Sequence, residues 1–403
     1  MGGDHGNFID GRWRPVGAGK GFVVADAQGA ELARRPRSAA GDLEEALGVL
    51  GGASRAWWER PPGERAEMVR AMNPAGDLGA WAGALGARIG VGAAAAAQLL
   101  EEDLSEHDWP EPAEASGPGV ALVRAAPTAL LSGLLPLVSS ALERGWCVLL
   151  MADPALPWLA EAVASAWQRG GGGADTLALL HDDGATTARS ALGSGRLRGV
   201  LARDHSRRLE ELEAAMASSE AAGFGEGVVE AKSPRARFEG ASLRDSTAVV
   251  TSDLDPEEEA AAICDAAFGA ALALSGEREG SVGRVVCHEA LFSVFTRVLL
   301  ERLDALEGVE GGLNAPLQAG FGAWSEEIAQ AAVGEGATCL RGGPSDSIER
   351  GRRGKILRSV FTNVEPKSRL SRASRPAPAL ALMRASSDAE VHKMALACDA
   401  DHI

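Results

Sequence analysis

Between residues 120 and 217 four short apolar runs, Val120–Val123, Cys147–Met151, Thr176–Leu180 and Val200–Ala202, alternate with stretches of helical periodicity at about 130–144, 155–169, 184–192 and 205–217. None of the runs alternates apolar with polar residues, as a strand with one wet face would. They are the pattern of strands buried on both sides. Strand–helix alternation at this spacing predicts a parallel sheet with helices packed on both faces, an α/β architecture. The order of the strands within the sheet is not legible from sequence. Further along, Ala248-Val-Val-Thr251, Val282–Val286 and Ile356–Thr362 read as strands. Pro256–Leu274 and Phe292–Leu303 read as helices, and a last amphipathic stretch begins near Asp388. A chain of 403 residues exceeds one typical hydrophobic core, so two packed domains are expected.

Ahead of the alternating region, residues 8–14 read as a strand, a turn and the start of a second strand, and Phe22–Ala25 as another strand. Leu43, Ala46, Leu47 and Leu50 recur at helical spacing, with Asp42 placed to cap. Glu64–Met72 forms a second helical segment, and the alanine run 93–97 running into Leu99 and Leu100 a third, since alanine is the strongest helix former. The stretches 106–118, 218–240 and 340–356 read as loops. Gly170–Gly173 lies between a helix and a strand. A phosphate-binding loop follows a strand and opens a helix, so these glycines read as a turn.

The net charge of −16 argues against a nucleic-acid or acidic-membrane surface. No apolar stretch is long and unbroken enough to span a bilayer, and the first residues lack the basic and apolar regions of a signal peptide. The five cysteines (147, 264, 287, 339 and 398) are scattered without a CxxC pair, which fits a reducing compartment and neither a disulfide framework nor a zinc site. A cytoplasmic protein is expected.

Several segments, in order, resemble the aldehyde dehydrogenases. Phe8-Ile-Asp-Gly-Arg-Trp13 resembles that family's entry hairpin, and Asp26-Ala-Gln-Gly-Ala-Glu-Leu-Ala33 its following turn and strand. Trp57 or Trp58 followed by Pro61-Pro-Gly-Glu-Arg65 resembles its tryptophan and "Pro-Ala-Glu-Arg" helix start. Arg284-Val-Val-Cys-His-Glu289 is similar to the strand after the catalytic loop, and Ser359-Val-Phe-Thr-Asn-Val-Glu-Pro366 to the lead-in to the cofactor-contacting glutamate. The resemblance covers nearly the whole chain. It implies a Rossmann-type dinucleotide-binding domain over residues 1–240, with 106–118 in place of the oligomerisation hairpin. An α/β catalytic-type domain would follow over 241–403, shortened at its C-terminal end.

The resemblance also implies where the chemistry should sit, and there the residues differ. The nucleophilic cysteine's place is taken by Glu279, and a carboxylate cannot form the thiohemiacetal that releases hydride to a nicotinamide. The oxyanion-hole asparagine falls on Thr128, whose hydroxyl is shorter and less rigidly aimed. The general-base glutamate falls on Ala241 if the strand register is kept, or on Val228 if Lys232-Ser-Pro234 is the anchor; Glu230 and Glu239 lie nearby. Of the cofactor contacts, the lysine falls on Met151, the glycine-rich turn on His205 and Ser206 within Asp204-His-Ser-Arg-Arg208, and the glutamate for the nicotinamide ribose on or beside Ser374. Asp204 would repel a pyrophosphate, with Arg207 and Arg208 offsetting part of that.

Cys264, on a helical apolar face, reads as a core thiol. Cys287 and His288 are adjacent in a strand and point to opposite faces, so a core thiol beside an exposed histidine is the expectation. The sequence therefore predicts an aldehyde-dehydrogenase-fold pseudoenzyme without cofactor, acting by association, with a catalytically intact aldehyde dehydrogenase subunit as one candidate partner. The alternative is an NAD- or NADP-dependent aldehyde dehydrogenase with Cys287 or Cys264 as a displaced nucleophile. No metal site is expected.

Overall fold

A computed structural model describes residues 5–15, 21–26, 29–105, 117–181, 186–204, 209–215, 217, 237–242, 246–268, 274–278, 281–308, 317, 321–343, 358–373 and 378–399. The chain divides into two compact units. One comprises Met1–Ala25, Gly29–Leu85 and Ala97–Ser242; the other comprises Asp26–Gln28, Gly86–Ala96 and Leu243–Ile403.

The first unit is built on a seven-stranded sheet. Its strands are β1 (His5–Ile9), β2 (Arg12–Pro15), β5 (Gly119–Ala125), β6 (Trp146–Ala152), β7 (Leu177–His181), β8 (Gly199–Asp204) and β9 (Arg237–Ser242), in the spatial order β2-β1-β7-β6-β5-β8-β9. β3 (Gly21–Ala25) and β4 (Glu31–Pro36) form a separate antiparallel pair. The five strands from β7 to β9 are parallel, so the chain winds outward from β5 to β6 and β7, then returns to β8 and β9. This is the doubly wound order, and the strand order reverses between β5 and β8. The apolar runs behave as read: every residue of β6 and β7 is buried. Helices Leu130–Glu143 and Pro157–Arg169 connect the strands. The first two strands form the expected hairpin, with Asp10 and Gly11 at φ 53° and 67° in its turn.

The helix Ala40–Glu59 buries Leu43, Ala46, Leu47 and Leu50 as its periodicity predicts. Asp42 is not its N-cap. It sits one turn in, where its Oδ2 accepts the Ala39 amide at 2.7 Å, the reciprocal half of a capping box. Arg65 of the helix Pro62–Ala71 is buried at 2% exposure and donates to the carbonyls of Trp58, Arg60 and Glu143. The helix Leu78–Ile89 was not legible in the sequence, where Gly79, Gly83 and Gly86 interrupt its pattern.

The glycines at 170–173 make a turn, as read. A Cβ on Gly170 would lie 2.7 Å from the Ala71 carbonyl oxygen, Gly171 has φ +78°, and a Cβ on Gly172 would fall inside the Trp167 indole. Trp167 is 1% exposed and edge-on to Trp57 at 5.8 Å. Gly172→Ala must therefore displace a ring that cannot yield, and is expected to cost about 1–3 kcal/mol in urea unfolding. A change under about 0.5 kcal/mol would show that the turn relaxes freely.

The second unit carries a five-stranded sheet of β10 (Ser246–Val250), β11 (Val282–His288), β12 (Thr338–Arg341), β13 (Ser359–Thr362) and β14 (Ala379–Ala385), in the order β10-β11-β14-β13-β12. All pairs are parallel except β12 with β13. Alternate residues face opposite cores. Val285, Cys287, Val360, Leu380 and Leu382 pack with the side chains of helices Pro256–Phe268 and Glu289–Gly308. Val286, Phe361, Ala381 and Met383 pack with those of Phe321–Gly334 and Asp388–Asp399.

Several expectations need correction here. The segments read as loops at 218–240 and 340–356 contain the start of β9 and the end of β12, and both are edge strands, whose sequences need not be apolar. The central β14 and the helix Phe321–Gly334 were not anticipated. The expected helix Pro256–Leu274 is seen as Pro256–Phe268; residues 269–273 lie outside the described residues, and Leu274 itself opens a 3-10 turn with φ 46°. Of the helix expected at 205–217, residues 209–215 are helical. The 106–118 segment lies outside the described residues as far as residue 116. Among the described residues no single helix is long and apolar enough to cross a membrane.

Candidate functional site

In a doubly wound sheet, ligands bind beyond the carboxyl ends of the strands, where the order reverses. Here that point is framed by the ends of β5, β6 and β8. Met151 and Arg124 are register partners on β6 and β5, and Arg124 is also paired with Ala202 of β8. β5 leads into the 3-10 turn Pro127–Ala129, which contains Thr128, and then into the helix Leu130–Glu143. Thr128 and Met151 are 0% and 1% exposed. Ala126, Pro127, Leu130, Met151, Asp153 and Leu156 are among the residues lining a cavity there of about 10 Å³, room for about one water molecule.

The polar groups at this point are bonded to one another. Arg124 Nη2 donates to Asp153 Oδ2 at 3.1 Å, and its Nε to Asp204 Oδ2 at 3.4 Å. The side chains of Arg124, Asp204 and Asp153 are 4%, 5% and 13% exposed. Asp153 is itself oriented by the Ala155 amide, which donates to Oδ1 at 2.9 Å. At the amino end of the helix Leu130–Glu143 a second internal carboxylate, Asp103, accepts the amides of Leu131 and Ser132 at 2.8 and 2.9 Å and the Ser132 hydroxyl at 2.6 Å.

The structure thus brings Met151 and the turn bearing Thr128 to one crevice. Ala241 is on β9, paired with Arg203 of β8. Glu279, His205, Ser206 and Ser374, with Val228, Glu230, Arg207 and Arg208, lie outside the described residues. Sequence reading noticed Asp204 but missed its partner. The available signal was Arg124 itself, a charge within a strand otherwise reading as doubly buried, which requires a counter-charge.

The two cysteines proposed as displaced nucleophiles are poorly placed for that role. Cys264 and Cys287 are 0% and 1% exposed. Burial pushes both thiols up to about 12, so neither supplies thiolate near neutrality. His288, half-buried, accepts the Ala290 amide through Nδ1 at 3.1 Å at the start of the helix Glu289–Gly308. Among the described residues no cluster of His, Cys, Asp or Glu could hold a metal ion.

A doubly wound sheet with its crevice at the β5/β8 reversal, followed by a second α/β unit, defines a class of two-unit dinucleotide-type folds. Within that class, the chain has the aldehyde dehydrogenase fold. A mutant aldehyde dehydrogenase C of Pseudomonas syringae, solved with NAD+ and octanal, superposes with a TM-score of 0.77 at 16% identity, over 98% of this chain and 82% of that one. An aldehyde dehydrogenase of Bartonella henselae gives 0.77 at 16% identity, over 98% and 85%. An NAD-dependent benzaldehyde dehydrogenase of Corynebacterium glutamicum gives 0.75 at 16%, over 98% and 87%. No protein-family model and no curated protein matches the sequence.

Proposed function

We propose that this chain is an aldehyde-dehydrogenase-fold pseudoenzyme that binds no nicotinamide cofactor and acts by association in the cytoplasm, a catalytically intact aldehyde dehydrogenase subunit being one candidate partner. The observation carrying the reading is the state of the crevice. The described residues there do not fit a dinucleotide: Met151 offers neither charge nor donor, the cavity has room for about one water, and the nearby guanidinium and helix-end amides are engaged internally. Glu279, Thr128 and Ala241 at the positions of nucleophile, oxyanion donor and base support it from sequence.

The alternative, an NAD- or NADP-dependent aldehyde dehydrogenase using Cys287 or Cys264, requires a thiolate from groups whose burial opposes ionisation. Both readings meet in one experiment. The purified chain, incubated with NAD or NADP and octanal or benzaldehyde, is expected to form no reduced nicotinamide. In parallel, iodoacetamide at neutral pH should label the half-buried Cys339 first, and the buried Cys147, Cys264, Cys287 and Cys398 only as the protein unfolds. Aldehyde-dependent turnover lost on Cys287→Ala or Cys264→Ala, with fast labelling of that thiol, would establish the enzyme instead.

A further inference from the structure

We infer that the crevice at the β5/β8 reversal is self-occupied: Arg124, held between Asp153 and Asp204, locks the carboxyl ends of β6, β5 and β8 together and closes the crevice to an anionic ligand. Nothing in this depends on which partner the chain has, or on whether it has one.

The ends of three parallel strands present carbonyl dipoles and, in this chain, two carboxylates. Arg124 is a cation shared by Asp153, half-buried beyond β6, and Asp204, buried at the end of β8, and a carboxylate held away from water is costly without a counter-charge. Arg124 stands on the strand between β6 and β8 and reaches both with different nitrogens. A planar guanidinium can do this with one fixed geometry; a lysine ammonium cannot fork in the same way.

The same arrangement removes what an incoming diphosphate would need. The guanidinium is already paired, and the two carboxylates around it repel a further anion. The amides of Leu131 and Ser132, the donors a helix start would otherwise present, are bonded to Asp103. Two separate internal carboxylate systems, one on the strand ends and one on the helix end, therefore engage Nε and Nη2 of Arg124 and the first helix amides of one crevice.

The test is a thermal-unfolding cycle on the full chain with and without NAD. Arg124→Met removes the cation that the half-buried Asp153 and the buried Asp204 share, and is expected to lower Tm by roughly 10 °C. The triple variant Arg124→Met, Asp153→Asn, Asp204→Asn removes all three charges and is expected to regain at least about half of that loss. If Arg124→Met does not fold, Arg124→Lys serves in its place and should lose an intermediate amount. Saturating NAD should leave the wild-type Tm unchanged, because a ligand raises Tm only by binding the native state.

An unchanged Tm in Arg124→Met or in its lysine replacement would overturn the lock, as would a triple variant as unstable as the single. A wild-type Tm that rises with NAD would overturn the closed crevice. That last result without aldehyde turnover would refute the closed crevice, and with it the absence of cofactor binding, while leaving the catalytic inactivity standing.

Discussion

Replacing Glu161 by alanine is expected to destabilise the first unit by about 3–5 kcal/mol, because it leaves a buried arginine without its counter-charge. Glu161, on the helix Pro157–Arg169, is 0% exposed, as is His181 at the end of β7, and Arg35 on β4 is 1% exposed. Arg35 grips the carboxylate with two nitrogens: Nε donates to Oε1 and Nη2 to Oε2, the latter at 2.9 Å. The His181 Nε2 lies 3.0 Å from Oε1, and its Nδ1 3.3 Å from the Asn7 Oδ1. Asn7 also accepts the Ser38 hydroxyl at 2.8 Å and the His181 amide at 3.2 Å. One buried network thus ties β1, β4 and the segment after it to the sheet and its helix.

Urea unfolding of Glu161→Ala and of an Arg35→Met, Glu161→Met double variant decides whether the pair acts as a unit. The double variant should cost less than the single, since no charge is left stranded. A single-variant cost under about 1 kcal/mol would show that water reaches the site. The pH dependence has a definite sign. Burial by itself raises the Glu161 pKa, but hydrogen bonds and charge from His181 and Arg35 outweigh it and hold the carboxyl below its ordinary 4.5. The native state therefore binds this proton less readily than the unfolded chain. Its stabilisation is present above the unfolded-state value and is lost as pH falls through the folded-state value. Glu161→Gln should lack this acid limb.

Asp103→Ala is expected to cost about 2–4 kcal/mol, the loss of charge-assisted bonds to two helix-end amides that no other group then satisfies. Asp103 is 0% exposed and Leu131 1% exposed, so water does not readily take the place of the carboxylate. Asp103→Asn keeps an acceptor oxygen but loses the charge favoured at the positive end of the helix, and should cost roughly half as much. Equilibrium unfolding of the two variants separates shape from charge. Equal costs for Ala and Asn would mean that the charge contributes nothing.

The α/β class was legible because its signal is local. A doubly buried parallel strand is a short unbroken apolar run, and β5, β6, β7 and β8 all announced themselves in this way. The turn at Gly170–Gly173 was legible for a similar reason, from its place between a helix and a strand. Where the local signal was weak the reading failed. β14 is the central strand of the second sheet, yet Ala379-Leu-Ala-Leu-Met-Arg-Ala385 mixes small and large residues as a helix might. β9 and β12 lie on edges and are polar.

The candidate site was legible only in part. Met151, Thr128 and the segment beginning at Asp204 were all located by resemblance, because each is fixed by a count along one segment. The pairing of Arg124 with Asp153 and Asp204, and that of Glu161 with Arg35 and His181, join residues up to 126 positions apart (Arg35 and Glu161) in a sequence that does not mark which partner each takes. Sequence by itself determined most of the elements and their α/β class, since these depend on residue type and local spacing. Tertiary structure alone decided the strand order, the strand at which it reverses and which buried charges meet there, because long-range pairing is set by how the sheet closes and not by any neighbour in the chain.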